Sequence, residues 1–399
     1  MKAIMYGAGN IGRGFIGATL AQSGYAVTFV DISEEVVEHL NENHSYPIRL
    51  VSNEEVTDIE ITGVDAIHGL YSEEVISAIS KTDLLAISVG ANVLPLIASN
   101  IVKGIKRRFK TTEAPLNIFL CENLVDVKQV MEGLLKKYLN SKEQSLFDER
   151  IGLVTTSIGR MVPVQTQKMK DGNPMRVCVE PYDSLPVDRD AIKGEMPSIK
   201  NMIPFSPFDF YLKHKLYIHN LGHAVCAYLG MVAGKTFIYE AIEEPIIRHI
   251  TKMAMMESGR ALALEYSVPL EEILENIDDL LQRFGNRALG DTCARVGGDP
   301  VRKLAPTDRL IGAAVFCQRR GSSYVGITVG VAGAIYYCIR EKGEIQSDKK
   351  ARRILGELCQ IEPDSCLGER VMGFYSMLCQ EISLEGVYQR ILELDVLCY

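Results

Sequence analysis

A glycine turn at the start of the chain restricts its fold more than any other feature. Ala3-Ile4-Met5-Tyr6 reads as a short apolar strand, and Gly7-Ala8-Gly9-Asn10-Ile11-Gly12 follows it as G-x-G-x-x-G, opening a helical stretch from Ile11 to Ser23. A second strand, Ala26–Val30, runs into Asp31, close to the roughly 20-residue offset expected of the acidic residue in a dinucleotide-binding unit. The three glycines then play different parts. Gly7 permits the tight turn, Gly9 lets backbone approach a pyrophosphate, and Gly12 lets the helix pack closely on the strand. Ala8, Asn10 and Ile11 complete the loop, and the partly positive helix N-terminus would carry the phosphates. Asp31 would accept hydrogen bonds from the ribose hydroxyls and repel a 2′-phosphate, which favours NAD over NADP. The competing reading is a plain turn with Asp31 capping the next helix.

Strand–helix alternation continues, with strands at Leu84–Ser88 and Asn117–Leu120 and helices at Ser33–Leu40 and Val93–Phe109. Such alternation predicts an α/β fold, a Rossmann-type doubly wound parallel sheet covered on both faces. Tyr46–Ile61 reads as a strand insertion, and Ile151 to Phe205 as an irregular, proline-rich connection. After Pro207 the pattern is helical almost to Tyr399, with long segments at Phe208–Val232, Glu243–Tyr266, Glu271–Phe284, Gly330–Glu341 and Asp348–Cys359. The 399 residues therefore divide into a dinucleotide-binding domain with a strand extension (1–205) and a mostly α-helical substrate domain (206–399). A cleft between the two is the expected site.

A formal charge of −8 gives no electrostatic footprint for nucleic acid or an anionic membrane. The longest apolar run, Val325 to Ile339, falls short of the roughly 20 residues a membrane span needs and reads as a buried helix. Met1-Lys2 runs straight into the first strand without a secretory leader's apolar stretch, so a cytoplasmic location is expected. The cysteines at 121, 178, 226, 293, 317, 338, 359, 366, 379 and 398 form no C-x2-C pair and no pattern with histidine. That argues for no metal and for reduced core thiols.

Further candidates sit at strand ends and on helices. Ser88-Val89-Gly90-Ala91-Asn92 and Cys121-Glu122-Asn123 follow strands at the carboxyl edge of the sheet, where cofactors bind in open α/β folds. Both read equally as turns, with Asn123 as a helix cap or as an amide donor to a substrate oxygen. In the Phe208–Val232 helix, Lys215, Asn220 and His223 fall within an arc of roughly 140°. One amine, one amide and one imidazole converging could abstract a proton and polarise a carbonyl; solvated helix polarity is the alternative. Arg283-Phe284-Gly285-Asn286, Arg295 to Lys303, and Asp308-Arg309 gather cations near turns, which suits either an anionic ligand or ion pairs with Asp291, Asp299 and Asp308.

Together these segments resemble the polyol-specific long-chain dehydrogenase/reductase family, the mannitol dehydrogenase family, and within it the phosphate-using mannitol-1-phosphate 5-dehydrogenase branch. The resemblance is carried in order by GAGNIGRGFIG (Gly7–Gly17), NENHSYPIRLV (Asn41–Val51), SVGANVL (Ser88–Leu94), CENL (Cys121–Leu124), KLYIHNLGHAVCAYLG (Lys215–Gly230), RFGN (Arg283–Asn286) and RVGGDPVRKLAPTDRL (Arg295–Leu310). It implies a metal-independent NAD dehydrogenase that interconverts mannitol 1-phosphate and fructose 6-phosphate, a small-molecule partner only. By position it implies Lys215 as general base, Asn123 and Asn220 as oxyanion donors, His223 holding a substrate hydroxyl, and Arg295 and Lys303 binding the polyol or its phosphate. Asn123 and the Ser88-Val89-Gly90 turn would also touch the cofactor.

The chain departs from the family pattern at substrate positions. Gly159 stands where members carry an aspartate before Arg160, Leu212-Lys213-His214 lacks the usual acid before the catalytic lysine, and Gly298 replaces a base. The pattern is expected to end near Leu310. Rival readings are a hexuronate-type (mannonate or altronate) or unphosphorylated-polyol oxidoreductase of the same family, a 6-phosphogluconate-dehydrogenase-like enzyme, and a non-catalytic NAD-binding protein.

Overall fold

The structure, a computed structural model, describes residues 1–124, 126–163 and 165–396. The chain forms two compact units, Met1–Tyr211 and Leu212–Tyr399.

The first unit contains β1 (Lys2–Tyr6), β2 (Ala26–Asp31), β3 (Ser45–Val51), β4 (Val56–Thr62), β5 (Val64–His68), β6 (Leu84–Ile87), β7 (Leu116–Leu120), β8 (Ile151–Thr155), β9 (Val177–Val179), β10 (Leu185–Asp188) and β11 (Met202–Phe205). Six of them make one wholly parallel sheet in the order β5-β2-β1-β6-β7-β8. Counted along the chain, these six strands run 3-2-1-4-5-6, the doubly wound dinucleotide-binding arrangement, whose switch point lies between β1 and β6. Successive residues feed opposite layers. Ala3 and Met5 pack with Phe15, Phe29 and Phe119 on one face, while Ile4 and Tyr6 pack with Val30, Leu85 and Ile101 on the other. Because helices cover both faces, every position of β6 and β7 is apolar or buried.

The expected strands at 3–6, 26–30, 84–88 and 117–120 are present, but the sheet also holds two that the pattern does not announce. β5 is a five-residue piece entered through Gly63, and β8 begins directly at the C-cap of the helix Ser141–Arg150 with no turn residue between. Tyr46–Ile61 is an antiparallel hairpin, β3 with β4, extended by β9 into a separate three-stranded sheet. Its inner residues Tyr46, Ile48 and Ile61 join the core layer of Phe15 and Phe29, with the Tyr46 ring edge-on to Phe29 at 5.8 Å. The 151–205 stretch is therefore structured, ending in the parallel pair β10–β11.

The second unit is helical. Phe208–Val232 is one run built from Asp209–His214, a π-turn at Lys215–His219 and Asn220–Val232. Pro245–Tyr266, Leu270–Phe284 and Val325–Glu341 correspond to expected helices, whereas Ile238–Glu243, Ile311–Arg319, Cys366–Cys379 and Leu384–Val396 lie outside the segments that periodicity marks. Among the described residues no helix is long and apolar enough to cross a membrane. Val325–Glu341 is buried along most of its length, and a Cβ at Gly330 would lie 2.5 Å from Val225, so this helix and Asn220–Val232 approach closely. The nine described cysteines are unbridged, seven of them buried; Cys398 lies outside the described residues.

A buried helix must still satisfy its first N–H groups. Glu257, only 3% exposed, does this for Val325–Glu341: Oε1 accepts from the Gly326 N–H (3.0 Å) and the Ser323 hydroxyl (2.8 Å), and Oε2 from the Ile327 N–H (3.0 Å). The carboxylate also meets the positive end of the helix dipole. Glu257→Ala should therefore lower the unfolding free energy by about 3 kcal/mol, the combined loss of charge-assisted bonds and exposure of unpaired donors. Urea denaturation checks this, and a loss below about 1 kcal/mol would show that the cap is dispensable.

Candidate functional site

Two glycines of the first turn are required by the fold itself, and the third faces open space. Gly7 has φ +100°, and a Cβ there would lie 2.2 Å from the Ser88 carbonyl oxygen; one on Gly12 would lie 1.9 Å from the Gly7 carbonyl oxygen. Gly9 is exposed, with nothing within 4 Å of the same position, and the helix begins at Asn10 immediately beyond it. Arg13 braces the loop from inside, its Nε donating to the Ala8 carbonyl (2.7 Å) and Nη1 to that of Met175 (2.6 Å). Asp31 closes it from the next strand: Oδ2 accepts from the Ala8 N–H (2.6 Å) and Oδ1 from the Ser33 N–H (3.0 Å). Each oxygen keeps a lone pair for a further donor.

The neighbouring loop is held by a residue that spacing does not single out. Glu122 Oε1 accepts from the N–H groups of Val89 (2.6 Å) and Gly90 (2.9 Å), the latter at φ +89°. Burial raises the Glu122 pKa, and these two bonds oppose that rise. The amides of Val89 and Gly90 are thereby occupied, while Ser88 is tied to β1 by its N–H to the Tyr6 carbonyl (2.9 Å). Asn123, beside Glu122, is exposed. At Gly159 a Cβ would come to 3.0 Å from the Tyr182 ring, so a side chain there requires that tyrosine to shift. Arg160 next to it donates to the Gly14 (2.9 Å) and Pro181 (3.2 Å) carbonyls and lies over the Phe15 ring.

In the second unit the π-turn alters the geometry expected of the helix. The Asn220 N–H donates to the Lys215 carbonyl, an i→i+5 bond that closes one wide turn. In an unbroken α-helix these residues would lie about 140° apart; the inserted residue instead sets Asn220 one turn above Lys215. His223 follows three residues on, and its ring stacks on Phe284 at 4.8 Å with an interplanar angle of 10°. Its Nε2 lies 3.7 Å from Asp291 Oδ2. Burial pushes His214 and His223 down to about 4 and His219 well below its ordinary value, so all three rings are neutral near pH 7.

The amine of Lys215 is pushed down to about 8, first by burial and then by the positive charge of Arg309. Lys303, 4% exposed, is likewise pushed down to about 8 by burial, Arg309 and Arg302. Arg295 gives its Nε and Nη2 to both oxygens of Asp291 and remains half-exposed. The fields of Arg295, Lys303 and Arg309 all reach His223. Lys215, Asn220, His223, Arg295 and Lys303 thus gather in one unit, whereas Asn123 and the glycine turn belong to the other. Glu122 and Arg309 lie in segments that the sequence marks as candidates, but the part each plays is not assigned by spacing. Among the described residues no group of three or more His, Cys, Asp or Glu could hold a metal ion. An amine of lowered pKa, an amide and a neutral imidazole within a cationic surround can move a proton and stabilise a developing oxyanion.

The chain matches known proteins in sequence domains and in fold. Residues 1–201 match the mannitol dehydrogenase Rossmann domain, and residues 208–355 match the mannitol dehydrogenase C-terminal domain. The second match runs past Leu310, where the family pattern is expected to end, so Ile311–Arg319 and all of the buried helix Val325–Glu341 lie within the family domain. The chain is similar in structure to mannitol 2-dehydrogenase from Pseudomonas fluorescens, solved as a ternary complex with NAD and D-mannitol: TM-score 0.73, 14% identity, 98% of this chain and 94% of that one covered. It is also similar to a substrate-free D-sorbitol dehydrogenase: TM-score 0.77, 14% identity, 95% and 93% covered. At 14% identity these likenesses establish the fold.

The electrostatics can be checked without turnover. The Lys215 ammonium should titrate near pH 8 by NMR of labelled lysine, and Arg309→Met should move that midpoint upward, since removing a neighbouring cation favours the charged amine. A Lys215 midpoint above about 10, the ordinary lysine range, would discard the buried-amine description.

Proposed function

The chain belongs to the mannitol dehydrogenase family and is an oxidoreductase acting on a sugar alcohol; from that premise we propose that it interconverts D-mannitol 1-phosphate and D-fructose 6-phosphate with NAD, using Lys215 as general base. The observation that carries the reading is an amine with a pKa near 8 on the same helix face as Asn220, among neutral imidazoles and cations.

The residues of the glycine turn suit NAD: the open face at Gly9, the helix starting at Asn10, and the Asp31 carboxylate at the end of β2. Gly7 to Gly12 would hold the pyrophosphate and Asp31 the ribose, with Ser88, Val89, Gly90 and Asn123 on the nicotinamide side; the two loop amides held by Glu122 leave carbonyls and side chains to meet the ring. When bound, the nicotinamide supplies the two-electron redox chemistry. The chain's own residues do the rest. Neutral Lys215 takes the hydroxyl proton of the alcohol during oxidation and returns it to the carbonyl oxygen during reduction. The Asn220 amide donates to that oxygen as negative charge develops, such a donor being worth about 3 kcal/mol of barrier. His223, fixed by Phe284 and facing Asp291, holds a neighbouring substrate hydroxyl, and Arg295 and Lys303 hold the polyol or its phosphate. The number of cations around the site favours a phosphorylated substrate. Gly159, crowded by Tyr182 and without the family's aspartate, is the observation that favours the second reading, a hexuronate-type oxidoreductase of the same family.

A panel of mannitol 1-phosphate, glucitol 6-phosphate, mannitol, arabinitol, altronate and mannonate, followed by NADH absorbance, tests the substrate. Turnover of acidic sugars alone would move the chain to the second reading; NAD binding without any turnover would leave a binding protein. Lys215→Ala should lower kcat by about 1,000-fold with NAD affinity nearly unchanged. In the wild type, oxidation should rise with pH and level off above about 8, because the reactive form is the unprotonated amine. Asp31→Ser should shift preference toward NADP; an unaltered preference would remove Asp31 from the ribose site.

A further inference from the structure

We propose that Arg309 reads the anionic end of the substrate, presenting its two terminal guanidinium nitrogens, beside the Lys303 amine, as the seat for a phosphate oxyanion. The inference rests on the reading of an anionic polyol as substrate and adds to it a residue that decides between phosphorylated and free polyols.

Pairing around the cluster singles out this side chain. Arg295 is engaged with both oxygens of Asp291. Arg302 lies 2.8 Å from Asp299 Oδ2, and Arg283 lies 3.2 Å from Asp279. Arg309, with an 11% exposed side chain, pairs only through Nε, which donates to Asp308 Oδ1 at 2.7 Å. The other Asp308 oxygen faces Arg302 Nη1 at 3.7 Å. Among the described residues Nη1 and Nη2 of Arg309 make no bond, and neither does the amine of the almost buried Lys303. Asp308 therefore orients the guanidinium from its Nε side and leaves the terminal nitrogens bare.

Donors without a protein partner on two neighbouring cations, still reached by solvent, are open to an oxyanion that enters from it. A planar guanidinium fork matches two phosphate oxygens, and an ammonium adds a point charge on a third. Position supports the same assignment, because Arg309's field reaches Lys303, His223 and Lys215, so an anion seated on it belongs to the molecule whose hydroxyl meets the base. A bound anion would also offset the effect of Arg309 on Lys215. In polyol oxidation the rise of kcat with pH should then lie at higher pH than that of kcat/KM for a phosphorylated substrate, with a smaller separation for a neutral one.

The test compares kcat/KM for mannitol 1-phosphate and mannitol in the wild type, Arg309→Gln and Arg309→Lys. The phosphate-to-neutral ratio should fall about 30-fold in Arg309→Gln, and less in Arg309→Lys, which keeps the charge but loses the fork. Inhibition by inorganic phosphate should weaken in parallel. A ratio preserved within about threefold overturns the inference, whether both activities fall together or neither falls. If Arg309→Gln does not fold, the ratio in Arg309→Lys decides in the same way. A wild type that prefers mannitol would sink the phosphorylated-substrate reading and this inference with it; a wild type that prefers the phosphate, with variants that preserve its phosphate-to-neutral ratio, sinks only the inference.

Discussion

The candidate site depends on an amine kept out of water with a cation as its principal charged neighbour. An ammonium in that position is doubly disfavoured, by lost hydration and by Arg309, and both effects push Lys215 toward its neutral form. The cost falls on the fold. Lys215 binds its proton less tightly in the native chain than in the unfolded one, so its contribution to stability rises as pH increases between about 8 and the ordinary lysine value of 10.5, and is least favourable below that window. The neutral imidazoles of His214, His219 and His223 belong to the same environment and respond to the same burial.

The first unit shows the complementary case, in which steric need and ligand need share one loop. Gly7 and Gly12 are demanded by the backbone itself, since any side chain there would run into a carbonyl oxygen; the open face at Gly9 is not. Arg13, Asp31 and Glu122 then spend their hydrogen-bonding capacity on loop carbonyls and amides, which fixes the shape of the turns before any ligand arrives. Asp31 illustrates how two readings of one residue coexist: it does tie the turn, and its remaining lone pairs can still accept from a ligand.

Legibility follows locality. β1, β2, β6 and β7 are readable because each is an apolar run bounded by glycine, aspartate or asparagine, whereas β5 carries Asp65 and His68 between its glycines and so is no apolar run, and β8 follows Arg150 with no turn residue between. Lys215, Asn220 and His223 are readable as a group from helical spacing, but the wide turn that sets Asn220 above Lys215 leaves no mark in composition. Glu122 acts across 33 positions on Val89, and no local pattern reports a bond of that length. Arg309 is hidden by company: acidic neighbours in the sequence account equally well for every cation in its segment, and only the pairing in three dimensions separates satisfied guanidinium groups from bare ones.

The wide turn at Lys215–His219 has a consequence for how such a helix can change over time. One supernumerary residue is a phase shift: everything before it is rotated by about 100° relative to everything after it. Sliding that residue a few places along the chain would swap which side chains share a face with Lys215 while leaving the composition of the helix untouched. Insertions and deletions here, rather than substitutions, are the changes that would reprogramme the site.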